Sequence, residues 1–282
     1  MKTRFLFALA IMLPIGVYSQ NKVEKNREDG MIYCPQGTFS TIKKINGKES
    51  PVTISVNSFR ISQEITNQEY REFYNWVAEH PDDTLFWIDF KQAGRYKEKG
   101  MNVSISDYRR SAKYSDILPR LIDLTLWEQE SEKGNYRDYF TNPEFDLYPV
   151  VGVPLEGAGF YCIWRTNREN SMRKEMGLTP VHDYRIPTEP EWEYAVQTLS
   201  TPGEVDINGL AKVTGSKPGK LYHAGDNISE WTFTTAMKEG CEYQVVRGGS
   251  WKTGSGTGQY ELLDPGSGKI HVGFRVVRSV TE

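Results

Sequence analysis

The sequence predicts an α+β domain with long ordered loops. Capping boxes precede helical periodicity at Thr66 and at Thr188. Apolar runs at 31–39 and 52–61 have the composition of strands. After residue 200 the chain is rich in Gly, Ser and Thr, which indicates short strands between loops. Helices and strands in separate stretches of one chain are typical of the α+β class.

Residues 1–19 predict a cleaved secretory signal peptide. Lys2 and Arg4 precede an apolar segment at 5–17, and small residues follow it. A buried N-terminal helix is the alternative. The first cysteine, Cys34, lies well beyond this segment, so lipid attachment at a mature N-terminal cysteine is not expected. We therefore predict a periplasmic or cell-envelope location.

The rest of the chain divides into a polar, flexible lead at 20–30 and a folded domain at 31–282. No later stretch is long and apolar enough to span a membrane, so no transmembrane helix is predicted in the mature chain. The formal net charge is −3, and removal of the signal peptide makes it more negative. A mildly acidic protein is not a general nucleic-acid binder, so no nucleic-acid partner is expected.

The first elements are two strands and a helix. Asn46-Gly47 predicts a turn between the strands. The Thr66 hydroxyl can cap the first helix while Glu69 reaches back to it. The helix then presents an apolar face at helical spacing, formed by Tyr70, Phe73, Tyr74 and Val77.

Two further helices follow. The second is predicted at 155–170, with Phe160, Ile163 and Trp164 facing the core. The third begins after Thr188, which forms a capping box with Glu191. Its expected buried residues are Trp192 and Ala195, and short strands are predicted near 244–246 and 273–278.

Residues 80–147 differ from the rest and predict an insertion with short helices around 119–130. The stretch is charged, locally basic and rich in aromatic residues. A solvated face, or aromatic packing onto the domain, would explain this composition. The alternative is a partner-binding surface, because Tyr, Trp and Arg dominate binding hot spots. The residues predicted to bind a cell-envelope protein partner are Trp87, Arg95, Tyr96, Arg109 and Arg110.

Several motifs in fixed order resemble the formylglycine-generating-enzyme (sulfatase-modifying factor) family. They are EITNQEYREF at 64–73, RIPTEPEWEYA at 185–195, NISEW at 227–231, VRGGSW at 246–251 and VGFR at 272–275. The resemblance implies a C-type-lectin-like core with limited regular structure. Arg247, Arg275 and Glu193 are expected to form buried or half-buried ion pairs that maintain this fold.

A closer resemblance points to the gliding-motility and type IX secretion branch of the family. It is carried by FDLYPVVGV at 145–153 and CIWRT at 162–166. Proteins of that branch share the enzymes' fold but are structural parts of a cell-envelope machine. They usually carry a lipid-anchoring cysteine, which this chain lacks.

The family's enzymes hold copper with two thiolates just after the Gly-Gly-Ser turn, and here both positions differ. Alignment on that turn places Thr253 and Gly258 where the cysteines would lie. Cu(I) requires soft sulfur ligands, so no copper and no formylglycine-generating activity are expected. The histidines form no recognisable ligand motif, and no nucleophile-elbow pattern supports a catalytic triad.

Calcium is the one cofactor that the sequence supports. The NISEW run resembles a family loop in which calcium sits among carbonyl oxygens and a carboxylate, and Asn227 and Glu230 would contribute here. A metal-free turn held by hydrogen bonds is the alternative.

Three cysteines, Cys34, Cys162 and Cys241, allow one disulfide, but the sequence does not choose the pair. The predicted function is that of a non-catalytic exported binding or structural protein, associated with gliding motility or type IX secretion in the cell envelope. The alternatives are a lectin-like ligand-binding module and a formylglycine-generating or other oxidoreductase with a rebuilt site.

Overall fold

The computed structural model describes residues 30–45, 48–88, 109–129, 136–201, 210–213 and 219–280. The chain divides into two units, Met1–Met31 and Ile32–Glu282, and every element below belongs to the second. Some predicted features lie outside the described residues: the signal peptide, most of the lead, the Asn46-Gly47 turn, Arg95 and Tyr96.

Helices and strands occupy separate stretches of the described chain, which confirms the α+β prediction. The helices are α1 (Asn67–Glu79), α2 (Tyr114–Ile117), α3 (Leu126–Gln129), α4 (Leu155–Glu175) and α5 (Glu189–Leu199), with 3-10 turns at Leu118–Arg120 and Pro143–Phe145. The strands are β1 (Ile32–Cys34), β2 (Gly37–Ile45), β3 (Lys48–Val56), β4 (Phe59–Ile61), β5 (Thr84–Ile88), β6 (Arg109–Lys113), β7 (Ser200–Thr201), β8 (Leu221–Tyr222), β9 (Ser229–Lys238), β10 (Cys241–Arg247), β11 (Tyr260–Leu263), β12 (Val272–Gly273) and β13 (Val277–Ser279).

The described strands form several small sheets. One has the order β1-β4-β13, another β11-β10-β9-β12, and the pairs β2–β3, β5–β6 and β7–β8 stand alone. Most neighbours are antiparallel, but β12–β9 and β7–β8 are parallel. Many strands are only two to five residues long, so loops rather than long ladders connect the layers.

Both predicted capping boxes are present. Thr66 accepts from the Glu69 backbone N–H while the Glu69 carboxylate accepts from the Thr66 N–H, and Thr188 and Glu191 repeat the arrangement. Helix α4 ends five residues later than predicted, at Glu175. Its last turn carries Arg173 and Lys174, whose charges favour a helix C-terminus.

Aromatic packing joins α1, α4 and the chain after β12. Tyr70 and Phe73 of α1 are fully buried. The Tyr70 ring stacks on Tyr161 of α4 at 5.7 Å, and Tyr161 meets Phe274 at 5.6 Å. Burial of each such side chain stabilises the fold by roughly 1.5–3 kcal/mol relative to exposure. Of the predicted faces, Tyr74 and Ile163 are only half-buried.

The described part of residues 80–147 contributes to the core. Its hairpin, β5–β6, was not predicted, since its alternating charged residues do not have the apolar pattern of a strand. Fully buried side chains from this stretch include Leu85, Ile117, Leu121 and Tyr139. The Tyr70 hydroxyl donates to the Leu121 carbonyl at 2.7 Å, which ties the stretch to α1.

None of the helices in the described ranges combines the length and apolarity needed to cross a bilayer.

Candidate functional site

The Gly-Gly-Ser turn after β10 is a tightly bonded loop. Gly248 has φ +84°, a conformation that favours glycine. Gly249 has no space for a side chain, because a Cβ there would overlap the Gly254 carbonyl oxygen. The Ser250 and Gly254 backbones exchange hydrogen bonds of 3.0 and 2.8 Å. The turn is therefore close-packed, and Gly249 cannot be replaced without moving its neighbours.

Thr253 helps to hold this turn closed. Its Oγ1 accepts from the Ser250 N–H at 3.1 Å and lies 2.9 Å from the Ser250 hydroxyl. Gly258 is exposed, with no atom within 4 Å of where a Cβ would lie. Of the two positions aligned with the enzymes' cysteines, Thr253 therefore provides a hydroxyl that stabilises the turn, and Gly258 provides no side chain. Neither supplies the soft sulfur that Cu(I) binding needs.

The cysteines lie elsewhere, and all three are free thiols. Burial raises the pKa of Cys34 to about 12, and that of Cys162 to about 12. Cys241 is exposed at the start of β10. Two thiols with raised pKa values do not form a reactive thiolate pair, because the thiolate is the nucleophilic and metal-binding form.

Two histidines lie beside carboxylates, which the sequence did not predict. His223 Nδ1 is 3.1 Å from Asp226 Oδ1, and His271 Nε2 is 3.4 Å from Glu261. Burial lowers the pKa of His271. No group of three or more His, Cys, Asp or Glu side chains suited to a metal occurs in the described part of the chain.

Asn227 and Glu230, the predicted calcium ligands, lie together in a buried polar cluster with Glu64, Trp192 and Arg275. Arg275 Nε donates to both carboxylate oxygens of Glu230, at 2.8 and 2.9 Å. Trp192 Nε1 donates to Glu230 Oε2 at 2.8 Å. Asn227 Nδ2 donates to Glu64 Oε2 at 2.9 Å. Arg275 Nη2 lies 3.9 Å from Glu64 Oε1, so two carboxylates share one guanidinium.

Burial raises the pKa values of both carboxylates in this cluster, Glu64 and Glu230. Burial raises the pKa of Glu64 well above its ordinary value, and the nearby Glu230 charge acts in the same direction. Arg275 and the Asn227 hydrogen bond lower the pKa of Glu64, but by less than burial raises it. A proton on Glu64 removes the repulsion between two buried carboxylates.

These side chains, as they are bonded here, do not fit a calcium ion. Calcium needs several free oxygen ligands. Both Glu230 oxygens already accept from Arg275, and Asn227 Oδ1 accepts from the Ala211 N–H at 2.8 Å. A cation would also lie beside the Arg275 guanidinium. The contacts are those of the metal-free turn, and calcium here stays a prediction that binding measurements must test.

The predicted fold-maintaining ion pairs are present. Arg275 pairs with Glu230, and Arg247 lies 3.7 Å from Glu193 and 3.5 Å from Glu189. Arg247 also stacks over the Trp192 ring, 5.4 Å from its centroid. Glu64 was missed as a partner, although it belongs to the EITNQEYREF motif. Glu64 lies two residues before the Thr66 cap, and nothing in the sequence there indicated that its side chain is buried.

Of the predicted partner-binding residues, the structure describes Trp87, Arg109 and Arg110, and the β5–β6 hairpin places them on two different faces. Trp87 is half-buried and packs edge-on against Phe160 of α4, at 5.3 Å. Arg110 is its cross-strand partner. Arg109 lies over the ring of Phe86, 4.7 Å from the centroid, and Phe86 is 51% exposed. Arg109 therefore lies on the outward face of the hairpin, whereas Trp87 packs the hairpin against the rest of the domain.

Comparisons with known proteins identify the family and two similar proteins. The family described as "Sulfatase-modifying factor enzyme 1-like domain" matches residues 17–205. A mouse (Mus musculus) protein named Inactive C-alpha-formylglycine-generating enzyme 2 is 23% identical over 300 residues, covering 90% of this chain and 87% of that protein. The bovine (Bos taurus) protein of the same name is 23% identical over 288 residues, covering 87% and 86%.

Two solved structures are also similar. The crystal structure of CarF has a TM-score of 0.49 and 14% identity, covering 89% of this chain and 98% of that chain. Treponema denticola variable protein 1 has a TM-score of 0.47 and 15% identity, covering 88% and 94%. The family match spans more than half of the chain and includes the EITNQEYREF and RIPTEPEWEYA motifs. The chain therefore belongs to the sulfatase-modifying factor enzyme 1-like family.

Proposed function

We propose that this protein is a non-catalytic member of its family that works by binding a protein partner in the cell envelope. The observation that carries the proposal is the state of the turn after β10. Thr253 is bonded to Ser250 and Gly258 presents only backbone, so the two thiolates of the enzymes have no counterpart. The mouse and bovine relatives, which are named as inactive, support the same conclusion.

A direct assay tests the lack of catalysis. The purified protein is incubated with copper and a sulfatase-type cysteine peptide, and the peptide is examined by mass spectrometry. We expect no conversion of cysteine to aldehyde, while an active family enzyme converts the same peptide in a parallel reaction. Aldehyde formation by this protein would overturn the proposal.

The outward face of the β5–β6 hairpin is the proposed docking surface for that partner. Phe86 offers a large exposed ring, and Arg109 covers it with a cation at 4.7 Å. Aromatic and arginine side chains of this kind give most of the binding energy at protein interfaces. The hairpin is held from behind by Leu85, which is 1% exposed, and by Trp87. A preformed surface loses less conformational entropy on binding.

This surface can be tested by point substitutions or by removal of the stretch that contains most of it, residues 88–116. Point substitutions are the better test. That deletion would also remove β6 and Tyr114, which is 8% exposed, so loss of binding and loss of folding could not be separated. Phe86→Ala and Arg109→Ala should keep the fold and reduce recovery of the envelope partner in a pull-down. Leu147→Ala is the matched control, because Leu147 is 52% exposed and lies outside the hairpin. Equal recovery with all three variants would contradict the proposal.

Export and a role in gliding motility or type IX secretion are the finer parts of the proposal. The predicted signal peptide and the FDLYPVVGV and CIWRT motifs support them. N-terminal sequencing of protein from the native host should find a chain that begins near Gln20. An intact Met1, or recovery from the cytoplasm, would reject export. The C-type-lectin-like core also belongs to the proposal, and an experimental structure would test it.

A further inference from the structure

The β5–β6 hairpin presents two cations and one aromatic ring on its outward face. Alternate positions of β6 are exposed, so Arg109, Ser111 and Lys113 point to the same side of the sheet. In β5 the exposed Phe86 is the cross-strand partner of Ser111. The ring therefore lies between the two charges along the hairpin.

The charge on this face is positive. The two strands place only Arg109 and Lys113 as charged side chains on it. Arg109 lies over the Phe86 ring, and Lys113 Nζ is 3.4 Å from Asp82. The Lys113–Asp82 pair is largely exposed, so it contributes little energy and can exchange for a pair with another carboxylate. A partner with negative charge at matching positions is complementary to this face.

The outer edge of β6 can accept a further strand. The Tyr114 N–H donates to the Asp83 carbonyl at 2.9 Å, which sets the alternation of hydrogen bonds between β5 and β6. By that alternation, Arg109 and Ser111 direct their backbone groups away from β5. The Arg109 carbonyl accepts a long bond, 3.4 Å, from the Arg110 side chain, which an incoming N–H can replace. Within the described ranges this sheet has two strands, so β6 lies at its edge.

We propose that β6 binds an extended acidic segment of the envelope partner, in which two carboxylates four residues apart flank an apolar residue. Opposed side chains of neighbouring strands lie on the same face, so the carboxylates reach Arg109 and Lys113. Four residues of a strand span about 13 Å in both chains, so the spacings match. The apolar side chain lies opposite Ser111, which is small enough to let it reach the Phe86 ring.

This inference rests on the proposed docking surface and specifies what that surface recognises. The pattern acidic–x–apolar–x–acidic reads the same in both directions, so parallel and antiparallel addition both satisfy it. Main-chain hydrogen bonds supply affinity in strand addition, and alternate side chains supply specificity. A lipid surface fits less well, because sites for anionic headgroups use about four to eight basic residues.

The test measures the binding of short fluorescent peptides to the purified full chain by anisotropy. The acidic peptide has the core Glu-Thr-Leu-Thr-Glu. One matched peptide has glutamine in place of both glutamates, and the other has the rearranged core Thr-Glu-Leu-Glu-Thr, which turns both carboxylates to the opposite face. We expect the acidic peptide to bind, and both matched peptides to bind about tenfold more weakly because they lose two opposite-charge pairs.

Variants of the protein test the two cations. Arg109→Gln and Lys113→Gln should each weaken binding of the acidic peptide by about threefold. The double variant Arg109→Glu, Lys113→Glu should instead prefer a peptide with lysine at both glutamate positions. Lys238→Gln is the matched control, because Lys238 is exposed at the end of β9 in another sheet, and its affinity should equal that of the unchanged protein. Melting curves establish that each variant is folded.

Equal binding of the acidic and glutamine peptides, or an equal loss in Lys238→Gln, would overturn the inference. Vesicles that contain an anionic lipid are the second probe, and binding to them without binding of the acidic peptide would also overturn it. The pull-down with Phe86→Ala and Arg109→Ala separates this inference from the proposed function. If those variants lose the partner while the peptides show no preference for glutamate, only this inference fails. If they keep the partner, the docking surface itself is wrong and this inference fails with it.

Discussion

Glu230 and Arg275 form a fully buried ion pair, in which Arg275 Nε donates to both carboxylate oxygens. Arg275 also donates to the Tyr222 carbonyl, and Glu230 accepts from Trp192. The pair joins β9 to the chain between β12 and β13 and orients the α5 tryptophan. Two family motifs, NISEW and VGFR, thus meet at one contact in the interior.

Glu230→Ala should strongly destabilise the protein, because it leaves Arg275 buried without its main partner. We expect a loss of about 3–5 kcal/mol in the free energy of unfolding, measured by urea denaturation. Glu156→Ala removes the exposed partner of Arg120 and should cost about 1 kcal/mol or less. Similar losses for both variants would contradict this assignment.

Glu64 should make stability depend on pH. Burial raises its pKa in the folded state above the unfolded value of about 4.3, so the folded protein holds this proton more tightly. The resulting stabilisation is complete below about pH 4.3 and is lost as pH rises through the folded pKa. Glu64→Gln should therefore be more stable than the unchanged protein at pH 8, with a smaller difference near pH 4. If the free energies of unfolding of Glu64→Gln and of the unchanged protein varied with pH in the same way, the prediction would be wrong.

Gly249→Ala should destabilise the turn after β10, because a Cβ overlaps the Gly254 carbonyl oxygen. We expect a loss of about 2 kcal/mol, within the range of strained core substitutions. Gly258→Ala is the matched control, since open space surrounds its Cβ position. It should change stability by less than about 0.5 kcal/mol. If Gly249→Ala left the stability unchanged, the turn would have to relax around the added Cβ at little cost.

Only Cys241 should react quickly with a thiol reagent in the folded protein. Cys34 and Cys162 are buried, with pKa values raised to about 12, so at pH 8 both remain almost entirely in the unreactive thiol form. Labelling should reach one thiol per chain under native conditions and three in denaturant. Fewer than three after unfolding without reductant would reveal a disulfide.

Calcium should leave the melting temperature unchanged, because Glu230 and Asn227 already have protein donors. The measurement compares melting with calcium, with magnesium and with chelator. A ligand that binds only the folded state raises the melting temperature by mass action. A rise specific to calcium would support the sequence-based calcium prediction and require Arg275 or Asn227 to rearrange.

Local signals in the sequence predicted the local structure well. The boxes at Thr66 and Thr188 depend on residues three apart, and both helices begin there. The apolar face of α1 was also predicted, since helical spacing repeats within the element. The β5–β6 hairpin was missed because Arg109, Ser111 and Lys113 give its strand no apolar alternation to recognise.

Long-range contacts could not be predicted from spacing. Glu64 lies just before α1, while its partners Asn227 and Arg275 come from the last quarter of the chain. The family motifs marked Arg275 and Glu230 as important, but no periodicity shows that two carboxylates share one guanidinium. The adjacent positions of Tyr33, Arg60 and Arg278 likewise depend on strand register, which arises only when the sheet forms.

The position of β4 between β1 and β13 has a consequence for synthesis of the chain. Ile61 pairs with both Ile32 and Val277, so the third strand of this sheet leaves the ribosome more than two hundred residues after the second. Until then the nascent polypeptide carries an open strand edge, which is prone to pairing with other chains. Contacts of such large sequence separation also slow folding. The sheet can therefore be completed only after β13 has left the ribosome, and the growing chain needs protection from aggregation until then.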